Sequence, residues 1–395
     1  MIHITHPVPS RAEKEAVWKN YYEGKPTRTP LRWSVNNRVW LLNPGLNTFG
    51  WTYADYLHDP KVIIETNARW QAYRAEELHP LTCDQSDVLP EQWSCRADVQ
   101  NCYDAAFYGG KLTAYPGQAM AVESFLSLGD VDAFLEHDYA SDNAIATNPF
   151  IIERLALTEE LKKAAKDFSF KGRGMGVGEF TLGFDGVITA GAAIFGADFF
   201  LLMALDPEKA SRLIGKLTRD AIARIRWLNR RAGIPERWQG GGGMADDSIQ
   251  LLSCEMYEEL VLPWHKYYLD EMSESPVASV VRNRSCHLCG DATRFFPLMA
   301  KELNIKTFDT GFPISFGELT KEMGTDITIL GGVHASLLKS GTSCAITAET
   351  KRILDEVKPK TKKFIIREAN NLSPGTPPEN IQTMYEAVKK YGQYQ

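Results

Sequence analysis

The chain has 395 residues, of which 44% are hydrophobic and 24% charged, as is typical of a soluble globular protein with a large core. Its formal net charge is -6 and its Lys and Arg residues are scattered, which argues against nucleic acid as a partner. No stretch approaches the roughly 20 apolar residues of a membrane span, and residues 1–6 lack the features of a secretion signal. We therefore expect a cytoplasmic protein without a membrane partner.

The organisation of the sequence changes along the chain. Residues 1–110 are rich in Trp, Tyr, Asn and Pro with weak periodicity, which predicts helices and irregular segments laid over one end of the fold. From about residue 170, short apolar or Gly-rich runs alternate with amphipathic helices, as in successive βα units. We predict one α/β domain over 1–395, a (β/α)8 TIM barrel at 111–395 with the N-terminal elaboration 1–110. The candidate strands are 175–180, 237–241, 277–281, 306–309, 326–331 and 363–368.

Three helices carry their own start signals. Asp206, followed by a proline, predicts a helix from about 207 to 231. The run from Thr376 to Glu379 has the form of a capping box and predicts a terminal helix to about 391. Ser253 is predicted to cap a helix in which Pro263 introduces a kink.

His287 and Cys289 form the sharpest chemical pattern. They follow the predicted strand 277–281 and precede a helix, where a βα loop of a barrel carries active-site residues. Residues two apart in an extended chain point to the same side, so the imidazole and the thiolate can reach one zinc ion. From spacing alone, a buried thiol beside a hydrogen-bonded histidine is the alternative. Cys286 points to the other face and is predicted to lie in the core.

Asp246 and Asp247 mark a second strand end, after the glycine run 240–243. We predict these carboxylates as catalytic candidates that hold a proton, orient His287 or bind substrate. The alternative is a helix cap with solvated carboxylates. Seven cysteines, an odd number, make a disulfide framework improbable.

The segment 287–293 resembles the zinc-binding H-x-C-G segment of the methylcobalamin-linked methyltransferases in the uroporphyrinogen decarboxylase superfamily. The resemblance covers roughly residues 170–395 well and the N-terminal third loosely. Further matching segments occur along the chain in the same order as in the family. They are Gly178 to Thr181, Leu205 to Pro207, Asp246-Asp247, Leu262-Pro263, Gly331 to Val333, Leu337-Leu338, Gly341-Thr342 and Thr376 to Ile381.

The resemblance implies a zinc-dependent methyltransferase, but two positions depart from the family pattern. The arginine motif by which the decarboxylases grip a tetrapyrrole has no equivalent here. The cysteine that serves the methyltransferases as third zinc ligand is replaced by Asn370, and Glu368, two residues earlier, is our candidate for that ligand. The run 367–374 resembles the corresponding segment of the branch that demethylates phenyl methyl ethers.

As implied by the resemblance, the substrate is a methoxylated small molecule and the acceptor a cobalt(I) corrinoid (cobalamin) on a transient partner protein. A thiol acceptor, a decarboxylase, a non-catalytic binding barrel and a homodimer all stay open. The candidate substrate-binding residues are Trp33, Asn36, Tyr115, Glu179, Arg282 and Asn370.

Overall fold

A five-stranded parallel sheet forms the centre of the computed structural model, which describes residues 7–279 and 284–394. Its strands are hydrogen-bonded in chain order, so each connection crosses over and returns to the neighbouring position. The carboxyl ends of all five strands therefore meet at one edge. The strands are β5 (Gly243–Ala245), β6 (Ser285–Leu288), β7 (Thr307–Thr310), β8 (Thr328–His334) and β9 (Phe364–Ala369).

The N-terminal part supplies further parallel positions. β1 (Trp93–Cys95) pairs in parallel with β4 (Met175–Val177), and Leu31 forms a parallel bridge with Ile366 of β9. Eight parallel positions thus follow one another along the chain, and the fold is TIM-barrel-like. Between the described residues, no ladder joins the β1–β4 pair to the five-stranded sheet.

The sequence suggested that residues 1–110 only cover one end of a barrel. In the structure they also contribute parallel strand positions. The strand positions there escaped prediction because a three-residue strand and a single bridge are too short to show a period of two. A separate antiparallel hairpin consists of β2 (Leu112–Ala114) and β3 (Met120–Val122).

Four of the six predicted strands are confirmed in place, with end shifts of a few residues. The strand predicted at 237–241 is wrong, because the extended segment begins only at Gly243. The strand predicted at 277–281 lies partly outside the described residues, and Val277 and Ala278 form a turn. That turn is held by the buried Arg284, which donates to the carbonyl oxygens of Val277 and Pro276.

Helices surround the sheet, and two of the predicted starts hold. Asp206 accepts the amide of Lys209 and begins Pro207–Ala232 as expected. Ser253 caps a short helix, but a π-helical turn, not a kink inside one helix, precedes Pro263. The helices are α1 Arg11–Tyr22, α2 Arg38–Leu41, α3 Tyr53–His58, α4 Pro60–Tyr73, α5 His79–Thr82, α6 Tyr103–Phe107, α7 Val131–Glu136, α8 Asp142–Ala146, α9 Pro149–Ala164, α10 Val187–Phe195, α11 Ala197–Leu205, α12 Pro207–Ala232, α13 Cys254–Met256, α14 Leu262–Met272, α15 Phe296–Glu302, α16 Phe316–Met323, α17 Ala335–Ser340, α18 Ser343–Val357 and α19 Pro378–Tyr391.

The terminal helix α19 is confirmed, but the predicted capping box is wrong. The hydroxyl of Thr376 donates to the carbonyl oxygen of Ser373 instead of accepting a helix amide. Of the described helices, none taken singly has the length and apolar character of a membrane span. The pair α10 and α11 reaches that length only together, across a bend of 112°.

Candidate metal centre

Three neighbouring strands bring the predicted metal-binding pair to the carboxyl edge of the sheet. Ala245, His287 and Asp309 are paired across β5, β6 and β7, so the two polar side chains lie on the same face. Cys286 and Leu288 point the other way and are buried, whereas His287 stays half-buried. The predicted core position of Cys286 is thus confirmed.

His287, Cys289 and Asp247 each offer one ligand atom, and these atoms lie within 4.8 Å of one another. The Sγ atom of Cys289 is 3.3 Å from Nε2 of His287. The backbone N–H of Cys289 donates to Oδ1 of Asp247 over 2.7 Å, which holds the turn after β6 against the end of β5. The three side chains therefore form one nitrogen, sulfur and oxygen donor set.

Asp309 fixes the orientation of the imidazole. Its Oδ2 lies 2.9 Å from Nδ1 of His287, which leaves Nε2 directed toward Cys289. The other oxygen of Asp309 accepts from the guanidinium of Arg367, which also donates to the carbonyl oxygen of Asn370. A carboxylate behind a ligating histidine is the usual means of setting its tautomer.

The pKa values describe the centre without a cation. Burial lowers the pKa of His287, but the hydrogen bond and charge of Asp309 outweigh it and raise that pKa. Burial raises the pKa of the Cys289 thiol, and the Asp247 carboxylate raises it further. A bound cation favours the opposite forms, the thiolate and the neutral imidazole.

Asp246 and Asp247 have separate roles. Asp246 is fully buried and accepts the amides of Ile188 and Thr189, over 3.0 and 2.8 Å, and also contacts Nε2 of His265. It therefore caps α10 and contacts His265, which agrees with the capping part of the alternative interpretation, although this carboxylate is buried and not solvated. Asp247 alone faces the metal-binding pair.

Gly186 makes the cap possible. Its φ is +100°, and a Cβ at this position would lie 2.3 Å from Cβ of Asp246, so only glycine lets the chain pass so closely.

Glu368, the candidate third ligand, is fully buried in β9 outside the group formed by Asp247, His287 and Cys289. One carboxylate oxygen accepts the amide of Ser34 over 2.9 Å. The other is buried and has no hydrogen-bond partner among the described residues. Burial raises the pKa of Glu368 to about 8.

The candidate substrate-binding residues do not converge on one place. Trp33 is buried, with its indole N–H donating to Thr82. Tyr115 is exposed and bonded to Glu123, and Glu179 forms a surface ion pair with Lys162.

Two of the remaining candidates have clear positions. Asn36 lines a cavity of about 590 Å³ near the carboxyl ends of β1 and β4. Asn370 has a φ of +74° and offers its carbonyl oxygen to Arg367. Arg282 lies outside the described residues.

Asp185 is a functional candidate that the sequence did not reveal. It lies two residues before the start of α10, and one of its carboxylate oxygens accepts from the hydroxyl of Tyr103 over 2.6 Å. Burial and the nearby Asp104 raise the pKa of Asp185 to about 7, and the charges of Asp247 and His287 also act on it. Asp185 is thus a carboxyl group with a raised pKa that is electrostatically coupled to Asp247 and His287.

This raised pKa predicts a pH-dependent stability in metal-free protein. The folded chain keeps the Asp185 proton up to about pH 7, whereas an unfolded chain loses it near pH 4, its ordinary pKa being about 3.9. Folding therefore takes up a proton between these values, and the free energy of unfolding falls as the pH rises through this window. Urea denaturation with a chelator, at about pH 5 and about pH 8, measures this change in the free energy of unfolding. The decrease between the two pH values should be smaller for Asp185→Asn than for the wild type. The exposed Asp167→Asn is the matched control, and equal losses in both variants would contradict the assignment.

Comparisons with known proteins place these features in a family. The profile described as Uroporphyrinogen decarboxylase (URO-D) matches residues 188–391, more than half of the chain. The methylated-thiol–coenzyme M methyltransferase of Methanosarcina mazei is 28% identical over 189 residues, covering 47% of this chain and 46% of that protein. The methylcobamide:CoM methyltransferase of the same organism is 26% identical over 144 residues, covering 36% and 39%. The chain thus matches less than half the length of either relative.

A solved structure extends the likeness of fold to nearly the whole chain. A methyltransferase from Methanosarcina mazei superposes with a TM-score of 0.59 at 13% identity, covering 96% of this chain and 98% of that one. At this identity the superposition speaks for the fold alone. Taken with the profile match over 188–391, it leads to one conclusion: the chain belongs to the uroporphyrinogen decarboxylase (URO-D) family.

Proposed function

We propose that this protein is a zinc-dependent methyltransferase. It moves a methyl group from a methoxylated small molecule, an aryl methyl ether, to a cobalt(I) corrinoid carried by a partner protein. The observation that carries the proposal is the convergence of Asp247, His287 and Cys289 at the carboxyl edge of the sheet. In TIM barrels that edge is where catalytic residues collect. We also propose that the eight parallel positions close into a (β/α)8 barrel around this centre.

The donor set fits zinc. In a tetrahedral site with a Zn–N bond near 2.0 Å and a Zn–S bond near 2.3 Å, the two ligand atoms lie about 3.5 Å apart. The 3.3 Å between Cys289 and His287 is close to that separation. Asp247 would supply the third ligand, and three protein ligands leave one position for a substrate, as in catalytic zinc sites.

The chemistry divides between the ion and the chain. When bound, zinc supplies Lewis-acid stabilisation to the oxygen that loses its methyl group. Asp309 and Arg367 hold the imidazole of His287 in position. As the methyl group passes to the cobalt nucleophile, the ether oxygen keeps the bonding electron pair and then takes a proton. Asp185, hydrogen-bonded to Tyr103, is the group that holds such a proton near the centre.

The named relatives support the general reaction. Both are methyltransferases, and the name of one includes methylcobamide as a reactant. The aryl methyl ether rests on the resemblance of segment 367–374. The relatives' names support a thiol acceptor as the alternative.

A direct assay tests this function. Purified protein, a corrinoid protein reduced to cobalt(I) and a set of methoxyarenes should yield methylcobalt and the free phenol, measured by absorbance and chromatography. Free cobalamin in place of the corrinoid protein should react more slowly, because the partner surface is missing. Turnover of a tetrapyrrole carboxylate without methyl transfer would instead identify a decarboxylase, and the proposal would be wrong.

Asp309 provides a milder test of the zinc site. Asp309→Asn keeps the size of the side chain but weakens its hydrogen bond to His287 and its ion pair with Arg367. We expect zinc affinity to fall roughly 10- to 100-fold, the usual cost of losing such a support. Competition with a chromogenic chelator measures it, with the exposed Asp326→Asn as control. Equal affinity in both variants would contradict the positioning role.

A further inference from the structure

A second cavity, of about 720 Å³, lies at the end of the sheet opposite the metal centre. Thr307 and Thr328, the first residues of β7 and β8, line it together with Lys363, just before β9. Because the strands are parallel, these amino ends face away from His287 and Cys289. The cavity is therefore separate from the candidate metal centre.

The lining carries an unusual excess of positive charge. No lining residue is an Asp or Glu, although the chain as a whole has a net charge of -6. Such a local field attracts anions against the charge of the whole protein. The cationic residues that line the cavity are Arg32, Lys358, Lys360, Lys362 and Lys363.

Two of these cations are free to bind a ligand. Arg32 and Lys362 are exposed, and no described residue gives either side chain a hydrogen bond or an ion pair. Lys358 and Lys360 by contrast donate to backbone carbonyl oxygens, and the Nζ atom of Lys363 lies 3.7 Å from a carboxylate oxygen of Asp326. Arg32 and Lys362 therefore supply unpaired positive charge, whereas the three other lysines are held in place by these contacts.

Polar and aromatic groups complete the cavity. The hydroxyl of Tyr21 is buried at the cavity, next to the side chain of Thr328. The half-buried Thr307 and Thr328 add two hydroxyl groups on the strand ends. The ring of Tyr22, 75% exposed, stands at the rim with the ring of Tyr21 edge-on at 5.5 Å. This rim offers a flat apolar surface beside the charges.

We propose that this cavity binds an organic polyphosphate of the size and charge of a nucleoside diphosphate. The volume lies within the usual 300 to 1,000 Å³ (roughly) of small-ligand sites. Arg32 and Lys362 would bind the phosphate oxygens through charge-assisted hydrogen bonds. The Tyr22 ring would stack against the base. The site is independent of the methyl-transfer chemistry.

Calorimetric titration of the full chain with ADP and with inorganic pyrophosphate tests the proposal. We expect ADP to bind, and to bind more weakly as the salt concentration rises. The double variant Arg32→Gln/Lys362→Gln should weaken ADP binding by about tenfold or more, since it removes two charge-assisted contacts. The matched control is Lys111→Gln, which removes an exposed charge outside the cavity. Tyr22→Ala should weaken ADP but not pyrophosphate.

The absence of heat from either anion at roughly millimolar concentration, the affinity range of weak ligands, would overturn the proposal. An ADP affinity in the double variant equal to that of the wild type would also overturn it. So would an unchanged ADP affinity in Tyr22→Ala. Circular dichroism and zinc content, measured on each variant, show that the fold is retained. Because the cavity lies away from the metal centre, zinc content is expected to be unchanged in all of them, so failure here leaves the methyltransferase proposal standing.

Discussion

The variant Cys289→Ala is expected to lose its zinc and its methyl-transfer activity together. Of the three residues in the candidate metal centre, Asp247, His287 and Cys289, Cys289 alone contributes a sulfur atom. Without it, the remaining imidazole and carboxylate form a two-ligand site that holds zinc poorly. We expect zinc content to fall from about one ion per chain to a small fraction, and kcat to fall by roughly 10²- to 10³-fold, as when one source of electrostatic stabilisation is lost.

The neighbouring Cys286 gives a matched control. It lies three residues earlier, within β6, and has the same side chain, but it is 1% exposed and faces the core. Cys286→Ala should retain zinc and turnover while losing some stability through the small cavity that it leaves. Metal analysis by mass spectrometry after dialysis and the methylcobalt assay measure the two effects. Full zinc retention in Cys289→Ala, or loss in both variants alike, would remove the basis for the metal centre.

The second large effect concerns stability. Asp104 and Arg224 form an ion pair with 5% and 0% of their side chains exposed, at an N–O distance of 2.5 Å. The other oxygen of Asp104 accepts the backbone amide of Asp185 over 3.1 Å. Asp104→Ala leaves a guanidinium buried without its partner, which typically costs about 3 to 5 kcal/mol. Urea denaturation measured by circular dichroism should show that loss.

Two further variants separate this effect from a general sensitivity to mutation. Asp142→Ala breaks an ion pair with Arg230, which belongs to α12 as Arg224 does. Both side chains of this pair are exposed, so the variant should change stability little. Asp104→Leu/Arg224→Met removes both buried charges and should recover part of the loss. A double variant as unstable as Asp104→Ala would show that the cost arises from packing and not from the unpaired charge.

The contacts behind the Cys289→Ala and Asp104→Ala predictions differ in how far apart their residues lie along the chain. His287 lies near the end of β6 and Cys289 directly follows that strand, so a spacing of two residues brings their side chains together. Asp104 and Arg224 are separated by 120 positions along the chain. No local pattern relates them, because only the packing of α6 against its surroundings brings the two side chains together.

Features that depend on residues close together along the chain could be predicted before the fold was known. The start and end of α12 follow from Asp206, the proline after it and Gly233, because helix caps are local hydrogen-bonding patterns. The alternation of strands and helices after residue 170 likewise predicted the parallel sheet. His287 and Cys289 were predicted as a metal-binding pair from their spacing together with the resemblance of segment 287–293.

The acidic residues that join this pair could be identified only from the three-dimensional fold. Asp246 and Asp247 are adjacent, so their side chains diverge, and the register of β5 against β6 selects Asp247 for the centre and Asp246 for the cap of α10. Asp309 reaches His287 from the neighbouring strand β7, and Arg367 of β9 reaches Asp309 in turn, through a register that no sequence period specifies. Strand pairing couples residues that are distant along the chain, and for that reason the supports of the site became visible only in the fold.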